Sequence, residues 1–325
     1  MAVKTYIEAI GDGLREEMYR DKNVFMLGED IGQYGGAFKV TKGFLEEFGP
    51  ERIVDTPLAE SAIIGVSIGA ALMGMRPVAE MQFADFVACG FNQLVNNAAK
   101  MHYRWHAPVP MVVRLPSGGG VRGGPFHSQN NEAWFCHTPG LKVVAPSGPR
   151  DAKGLIKAAI RDDNPVMYYE HKFLYRRIKE EIADGDDFVV PIGQAEVKRP
   201  GTTVSVVTYA SMVHASLEAA EKLAAEGIDV EVLDLRSLVP YDKEAIAATI
   251  KKTNRCVVVH EATRTCGFGA EIMAFISEEL FEHLDAPLKR VTSIDAPVPY
   301  APALEDFFMP NADKIATAIR AVARF

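Results

Sequence analysis

The chain has only four cysteines, Cys89, Cys136, Cys256 and Cys266. No two form a CxxC pair and their spacing matches no metal-ligand pattern, which fits a reducing cytoplasm and excludes a disulfide framework. Basic runs are also missing. With a net charge of −8, that speaks against a nucleic-acid partner. Met1 to Ile10 has no apolar core of the kind a secretory signal carries. The uncharged stretch Ser61 to Met75 is too short to span a bilayer, so no membrane partner is expected. Internal repeats and low-complexity tracts are absent. The 325 residues, 48% apolar and 24% charged, suit a globular protein of two domains.

The most informative stretch is Asp55-Thr-Pro-Leu-Ala-Glu60, followed by the uncharged Ser61 to Met75. Pro57 keeps Thr56 out of the helical region, so a helix should begin just after it. Such an apolar helix should be buried on most faces, with Gly65 and Gly69 allowing another backbone close. Glu60 then sits at the mouth of an apolar element, where a carboxylate is costly without a partner. It either complements the helix N-terminus or binds a ligand nitrogen.

Around that stretch the pattern alternates strand and helix. Lys4 to Tyr19 reads as an amphipathic surface helix interrupted by Gly11-Asp12-Gly13. Val24 to Gly28 reads as a buried parallel strand ending in Glu29-Asp30, the kind of position where open α/β sheets bind ligands. A solvated turn would look the same. Arg76 to Phe86 reads as a strand running into a loop, Phe91 to Arg104 as a helix and Pro110 to Arg114 as a strand. Ser117 to Gly124 is too glycine-rich for either element, and His127 lies just beyond. A histidine there is a general acid or base candidate, or a surface residue of a mobile loop. Leu141 to Tyr169 forms another β-α-β unit, and its loop at Ala159 to Pro165 could place backbone oxygens around a cation or simply stop a helix.

From His171 to Pro200 the pattern fails, with Arg176-Arg177 and Asp184-Gly-Asp-Asp187. That charged stretch reads as a linker. A second β-α-β series runs from Val204 to Ser293, in which Gly267-Phe268-Gly269 marks a turn. The reading is therefore α/β, with two doubly wound parallel-sheet domains: 1–175, a linker at 176–200, and 201–325.

Taken in order, Asp55 to Glu60, Arg76-Pro-Val-Ala-Glu-Met-Gln-Phe-Ala-Asp-Phe86, His127-Ser-Gln129, Pro139 to Val144, Asp151 to Leu155 and Val232-Leu-Asp-Leu-Arg236 form a specific set. Over nearly its whole length the chain resembles the beta subunit of the decarboxylating component of 2-oxo acid dehydrogenase complexes. That group includes the pyruvate, branched-chain and acetoin enzymes. The resemblance implies a transketolase-like fold with a pyrimidine-binding domain and a transketolase C-terminal domain. It implies thiamine diphosphate shared with an alpha subunit in an alpha-two beta-two heterotetramer, and a lipoyl-bearing acyltransferase as acyl acceptor. Gly11-Asp12-Gly13 lacks the Asn pair that would make it a diphosphate-magnesium motif, because Asn96-Asn97 and Asn130-Asn131 lie much too far away. Magnesium is accordingly expected on the alpha chain.

Carried over by position, Glu60 would hydrogen-bond a ring nitrogen of the aminopyrimidine and Phe86 would face that ring. Leu58 and Gln82 would line the same pocket, with Glu29 a further member of the cofactor shell. His127 would position substrate and handle a proton during acyl transfer. Ala159, Asp162 and Asn164 match a potassium loop of the family. Gln82 to Phe86 and His127 to Trp134 look closest to branched-chain enzymes, whereas Pro297-Val-Pro-Tyr300 and the C-terminal tail look like pyruvate or acetoin enzymes. The rival readings are an acetoin dehydrogenase beta subunit, a stand-alone transketolase-like synthase and a non-catalytic interaction subunit.

Overall fold

A computed structural model describes residues 2–183 and 187–325. It divides into two compact units, Met1–Ser117 with Trp134–Ile192, and Gly118–Ala133 with Gly193–Phe325.

In the first unit the strands are β1 (Ala2–Thr5), β2 (Val24–Gly28), β3 (Ile53–Asp55), β4 (Arg76–Glu80), β5 (Val112–Ser117), β6 (Lys142–Val144), β7 (Val166–His171) and β8 (Lys179–Ile182). Six of them form a parallel run in the order β6-β7-β5-β4-β2-β3. These strands are apolar on both faces, as a sheet covered from both sides requires. Val24, Met26, Val78, Val112 and Val166 pack into one core with helices α1 (Tyr6–Arg20) and α7 (Pro149–Arg161). The alternate residues, including Leu27, Ala79 and Val113, are equally buried. On their side α3 (Glu60–Leu72) lies against β4 and β2. A short helix α2 (Phe44–Phe48), then α4 (Val87–Asn92), a π-helical stretch Gln93–Ala98, α5 (Ala99–Trp105) and α6 (Glu132–Cys136) complete the connections.

The path of the chain through this sheet locates a crevice. From β2 the chain moves to β3 on one side, then crosses to β4 on the other. The sheet's switch point therefore falls between β2 and β4, and the crevice beyond their carboxyl ends is where such sheets bind ligands. Gly28 pairs with both Asp55 and Glu80, so the three adjacent strands end level.

The second unit has strands β9 (Glu196–Arg199), β10 (Val204–Thr208), β11 (Val230–Asp234), β12 (Ser237–Val239), β13 (Cys256–Thr263) and β14 (Lys289–Ser293). Its sheet order is β14-β13-β10-β11-β9. Helices α8 (Met212–Ala224) and α12 (Ala312–Ala323) share one core with Val206, Val232, Val257 and Val291. Helix α9 (Lys243–Thr253) contacts β10 and β11, and α10 (Gly269–Glu279) contacts β13. Helix α11 (Pro302–Phe308) precedes α12.

Several expectations need correction. Gly11-Asp12-Gly13 does not interrupt a helix. It lies inside α1, where Gly13 is pressed on α7 and a Cβ there would come within 2.6 Å of the Ile156 side chain. Asp12 pairs with Lys4 at 2.9 Å. The charged stretch after His171 is not featureless: β8 pairs antiparallel with β1, and β9 adds an antiparallel edge to the second sheet. Asp184, Gly185 and Asp186 of that stretch lie outside the described residues. The run before Phe91 is already helical from Val87. Helices α11 and α12 had no counterpart in the sequence reading. Finally, α3 is not buried on most faces, because Ser61, Ala62, Val66, Gly69, Leu72 and Met73 are exposed.

Candidate functional site

Three loops leave the level ends of β2, β3 and β4, and each delivers expected site residues. After β2 come Glu29 and Asp30, and the left-handed φ of +58° at Asp30 turns the chain sharply. Asp55, at the end of β3, fixes that turn by accepting the Gly32 N–H at 2.6 Å. A Cβ on Gly32 would come within 2.5 Å of the same carboxylate, so the close approach requires glycine. After β3 come Leu58, which is 80% exposed, and Glu60, half-buried in the first turn of α3. No side chain caps this helix, so Glu60 lies where the free N–H groups and the helix dipole favour negative charge.

After β4 the chain gives Gln82, Phe83 and Phe86. Gln82 Nε2 donates to Asp30 Oδ2 at 3.1 Å, bridging the two sides of the switch point. Phe86 is half-buried and meets Phe83 edge-on at 5.6 Å. Below this loop, Glu80 and Glu170 flank Arg114, all three buried. Tyr175 donates to Glu170 at 3.0 Å. Two acids facing one guanidinium on neighbouring strands secure the floor of the crevice.

The crevice is therefore acidic. Glu29 is only 3% exposed, and neither of its carboxyl oxygens has a hydrogen-bond partner among the described residues. Burial first, then the neighbouring charges of Glu60 and Asp30, push its pKa up. The nearby Ala59 N–H pulls the other way, in a geometry short of a hydrogen bond. A buried acid left without donors is a group waiting for a ligand that carries them. Glu29, Leu58, Glu60, Gln82 and Phe86 thus gather at one end of one sheet.

His127 belongs to a different part of the structure. Its loop, Gly118–Ala133, groups with the second unit. The residue is half-buried, and its backbone N–H donates to the Gly124 carbonyl at 3.4 Å. Gly124 has φ +68° and packs on the Tyr300 ring, where a Cβ would come within 2.2 Å. The glycines here allow tight contact rather than mobility.

At Ala159 to Asn164 the oxygens already have work. The Ala159 carbonyl accepts the Asp162 N–H at 3.3 Å, and the Asp162 carbonyl accepts Arg76 Nη1 at 3.0 Å. The Asp162 carboxylate pairs with Lys142 and accepts the Asn164 N–H. Among the described residues no three His, Cys, Asp or Glu side chains gather as metal ligands.

Sequence reasoning named Asp30 and Asp55 but missed the bonds by which they hold the site, Asp55 on Gly32 and Asp30 on Gln82, and it missed the Glu80–Arg114–Glu170 group. The signal available was the recurrence of an acid at the end of each of β2, β3 and β4.

Two family models match the chain: the transketolase pyrimidine binding domain over residues 3–177 and the transketolase C-terminal domain over 193–315. The 2-oxoisovalerate dehydrogenase subunit beta of Bacillus subtilis is 52% identical, with the whole of each chain covered. The chain belongs to the family of 2-oxo acid dehydrogenase E1 beta subunits. The pyruvate dehydrogenase E1 component subunit beta of Staurastrum punctulatum is 44% identical over 98% of this chain and 97% of its own. A split-gene transketolase, solved as an inactive beta4 tetramer, shares the fold at TM-score 0.82 and 23% identity, covering 98% of each chain. Among the described residues no helix is long and apolar enough to cross a membrane.

Proposed function

We propose that this chain is the beta subunit of a cytoplasmic, thiamine diphosphate-dependent 2-oxo acid dehydrogenase. It would work with an alpha subunit, in an alpha-two beta-two assembly, and pass the acyl group to a lipoyl-bearing partner. The observation that carries the reading is the acidic crevice at the switch point, where buried Glu29, beside Glu60, has no hydrogen-bond donor among the described residues. An aminopyrimidine offers the N–H groups such a crevice needs, and Phe86 offers an aromatic face. The residues present therefore fit the pyrimidine half of the cofactor. The bound cofactor supplies the electron sink for decarboxylation. Glu60 holds a proton against the ring nitrogen, Gln82 and Asp30 fix the crevice width, and Leu58 is left to be covered by a second chain. The exposed apolar face of α3, with Val66 at 58% and Leu72 at 44% exposure, supports such a partner. Magnesium and the diphosphate are assigned to the alpha subunit.

His127 would position the acyl acceptor and move a proton during transfer. The 52% relative favours branched-chain 2-oxo acids over pyruvate as substrate. Co-expression with the alpha subunit tests the whole reading. Expected are a heterotetramer and decarboxylation fastest with branched-chain 2-oxo acids. Activity of this chain alone with added cofactor would instead support a stand-alone synthase. Potassium at Ala159, Asp162 and Asn164 would share the Asp162 carbonyl with Arg76. If it binds there, melting of the assembly rises in potassium over sodium, and an equal melting temperature in the two salts would remove the site.

A further inference from the structure

The Gly-rich loop that carries His127 is fastened at its base by one buried acid. Glu261, near the end of β13, is 6% exposed. Its Oε1 accepts the Gly119 N–H at 2.7 Å and Asn130 Nδ2, also at 2.7 Å. One oxygen atom thus joins the first and last turns of the loop. The other, Oε2, accepts the Ser211 hydroxyl at 2.9 Å, which ties the pinch to the start of α8. Beside it the Gly118 N–H donates to the Gln129 carbonyl at 3.2 Å. Higher in the loop, Glu305 accepts the Gly120 N–H at 3.0 Å and Arg122 Nη1 at 2.6 Å. Gly119 has no room for a side chain: a Cβ would lie 2.9 Å from Met309 Sδ and 3.3 Å from Glu305 Oε1.

Glycine loses more freedom on ordering than any other residue, so a Gly-rich loop stays in one arrangement only when something holds it. Both ends of this loop share one buried acceptor oxygen, so the contact that closes it is also sheltered from water. We propose that Glu261 is a positioning residue, which holds the 118–133 loop closed so that the His127 ring keeps the place its part in acyl transfer needs. The proposal deepens the proposed function and rests on the role in acyl transfer given to His127. Glu261 acts by geometry. A glutamine can keep the same pattern, its oxygen accepting from Gly119 and Asn130 and its amide donating to Ser211, whereas alanine keeps none of it.

The test uses the alpha–beta holoenzyme with thiamine diphosphate and magnesium. Decarboxylation is measured with ferricyanide as electron acceptor, and acyl transfer with a free lipoyl domain. For Glu261→Ala and Asn130→Ala, decarboxylation is expected within about twofold of wild type, while kcat for lipoyl acylation falls about tenfold to a hundredfold, the scale of a small misplacement of a working group. Amide exchange at Gly118 to Gly124 should speed up in the same variants. Glu261→Gln should recover most of the acylation rate. If Glu261→Ala does not assemble, Asn130→Ala and Glu261→Gln carry the test.

Wild-type acylation in Glu261→Ala or Asn130→Ala, beside an impaired His127→Ala, overturns the clamp and leaves the site reading standing. Wild-type acylation in His127→Ala overturns both. Glu261→Gln as impaired as the alanine variant means the charge acts rather than the geometry, and also overturns the proposal.

Discussion

The two glycine-rich turns of this chain treat their acids in opposite ways. In the second unit, Glu261 and Glu305 are buried and supplied with donors from backbone, amide, hydroxyl and guanidinium. In the first unit, Glu29 is buried to the same degree with no hydrogen-bond donor on either oxygen among the described residues, next to Glu60. Residue type and burial are alike, so neither separates scaffold from site. What separates them is unmet hydrogen bonding: a satisfied acid holds the fold together, and an unsatisfied one costs stability unless a ligand completes it.

The sharpest way to break this comparison is at Glu60. Glu60 sits half-buried in the first turn of α3, beside Glu29, and is the acid assigned to the ligand nitrogen. Replacement by glutamine preserves size and removes the carboxyl group that can hold or release a proton. Decarboxylation by the alpha–beta assembly should fall by about 10²–10⁴, the range for a positioned proton-transfer group. Intact heterotetramer with near-normal turnover would show that the crevice does not do the chemistry.

A second way is to turn satisfied acids into unsatisfied ones. Arg114 serves Glu80 and Glu170 together, and all three are buried. Burial already pushes Glu80 up, with Arg114 the main opposing charge. Arg114→Met should lower unfolding free energy by about 3–5 kcal/mol, because it strands two buried acids. Chemical denaturation measures this. A loss below about 1 kcal/mol would mean that water reaches the group and that burial here is not what it looks like.

This contrast also explains what the sequence could say. The alternation of apolar strands and helices made both sheets legible, and Glu29-Asp30 after the first buried strand marked one lip of the crevice. Glu60, His127 and Phe86 were proposed from order and type. Glu261 and Arg114 were not, because their partners lie far along the chain and nothing local to Val258-Val-His-Glu261 or Val113-Arg114 announces them. The Gly118 to Gly124 run misled for the same reason. Its composition signals freedom, whereas acids more than 130 residues away remove it. Helix α3 misled in the other direction, since an apolar sequence is equally suited to a core and to a face that another chain covers.

The smallest effect tests the crevice from the stability side. Folding raises the pKa of Glu29, so the fold favours its neutral form. The stabilising contribution is complete below the unfolded value of about 4.3 and is lost as pH rises through the folded value. At pH 7 to 8 the ionised side chain is therefore a liability in the isolated chain. Glu29→Gln should raise Tm there by roughly 1–3 °C. The gain should vanish as pH falls toward about 4, where both forms are neutral. In the cofactor-loaded assembly the sign should reverse, because a ligand that donates to Glu29 stabilises the charge that glutamine lacks. A Tm gain that persists unchanged with cofactor bound would place the ligand's donors elsewhere and make Glu29 a bystander to the site.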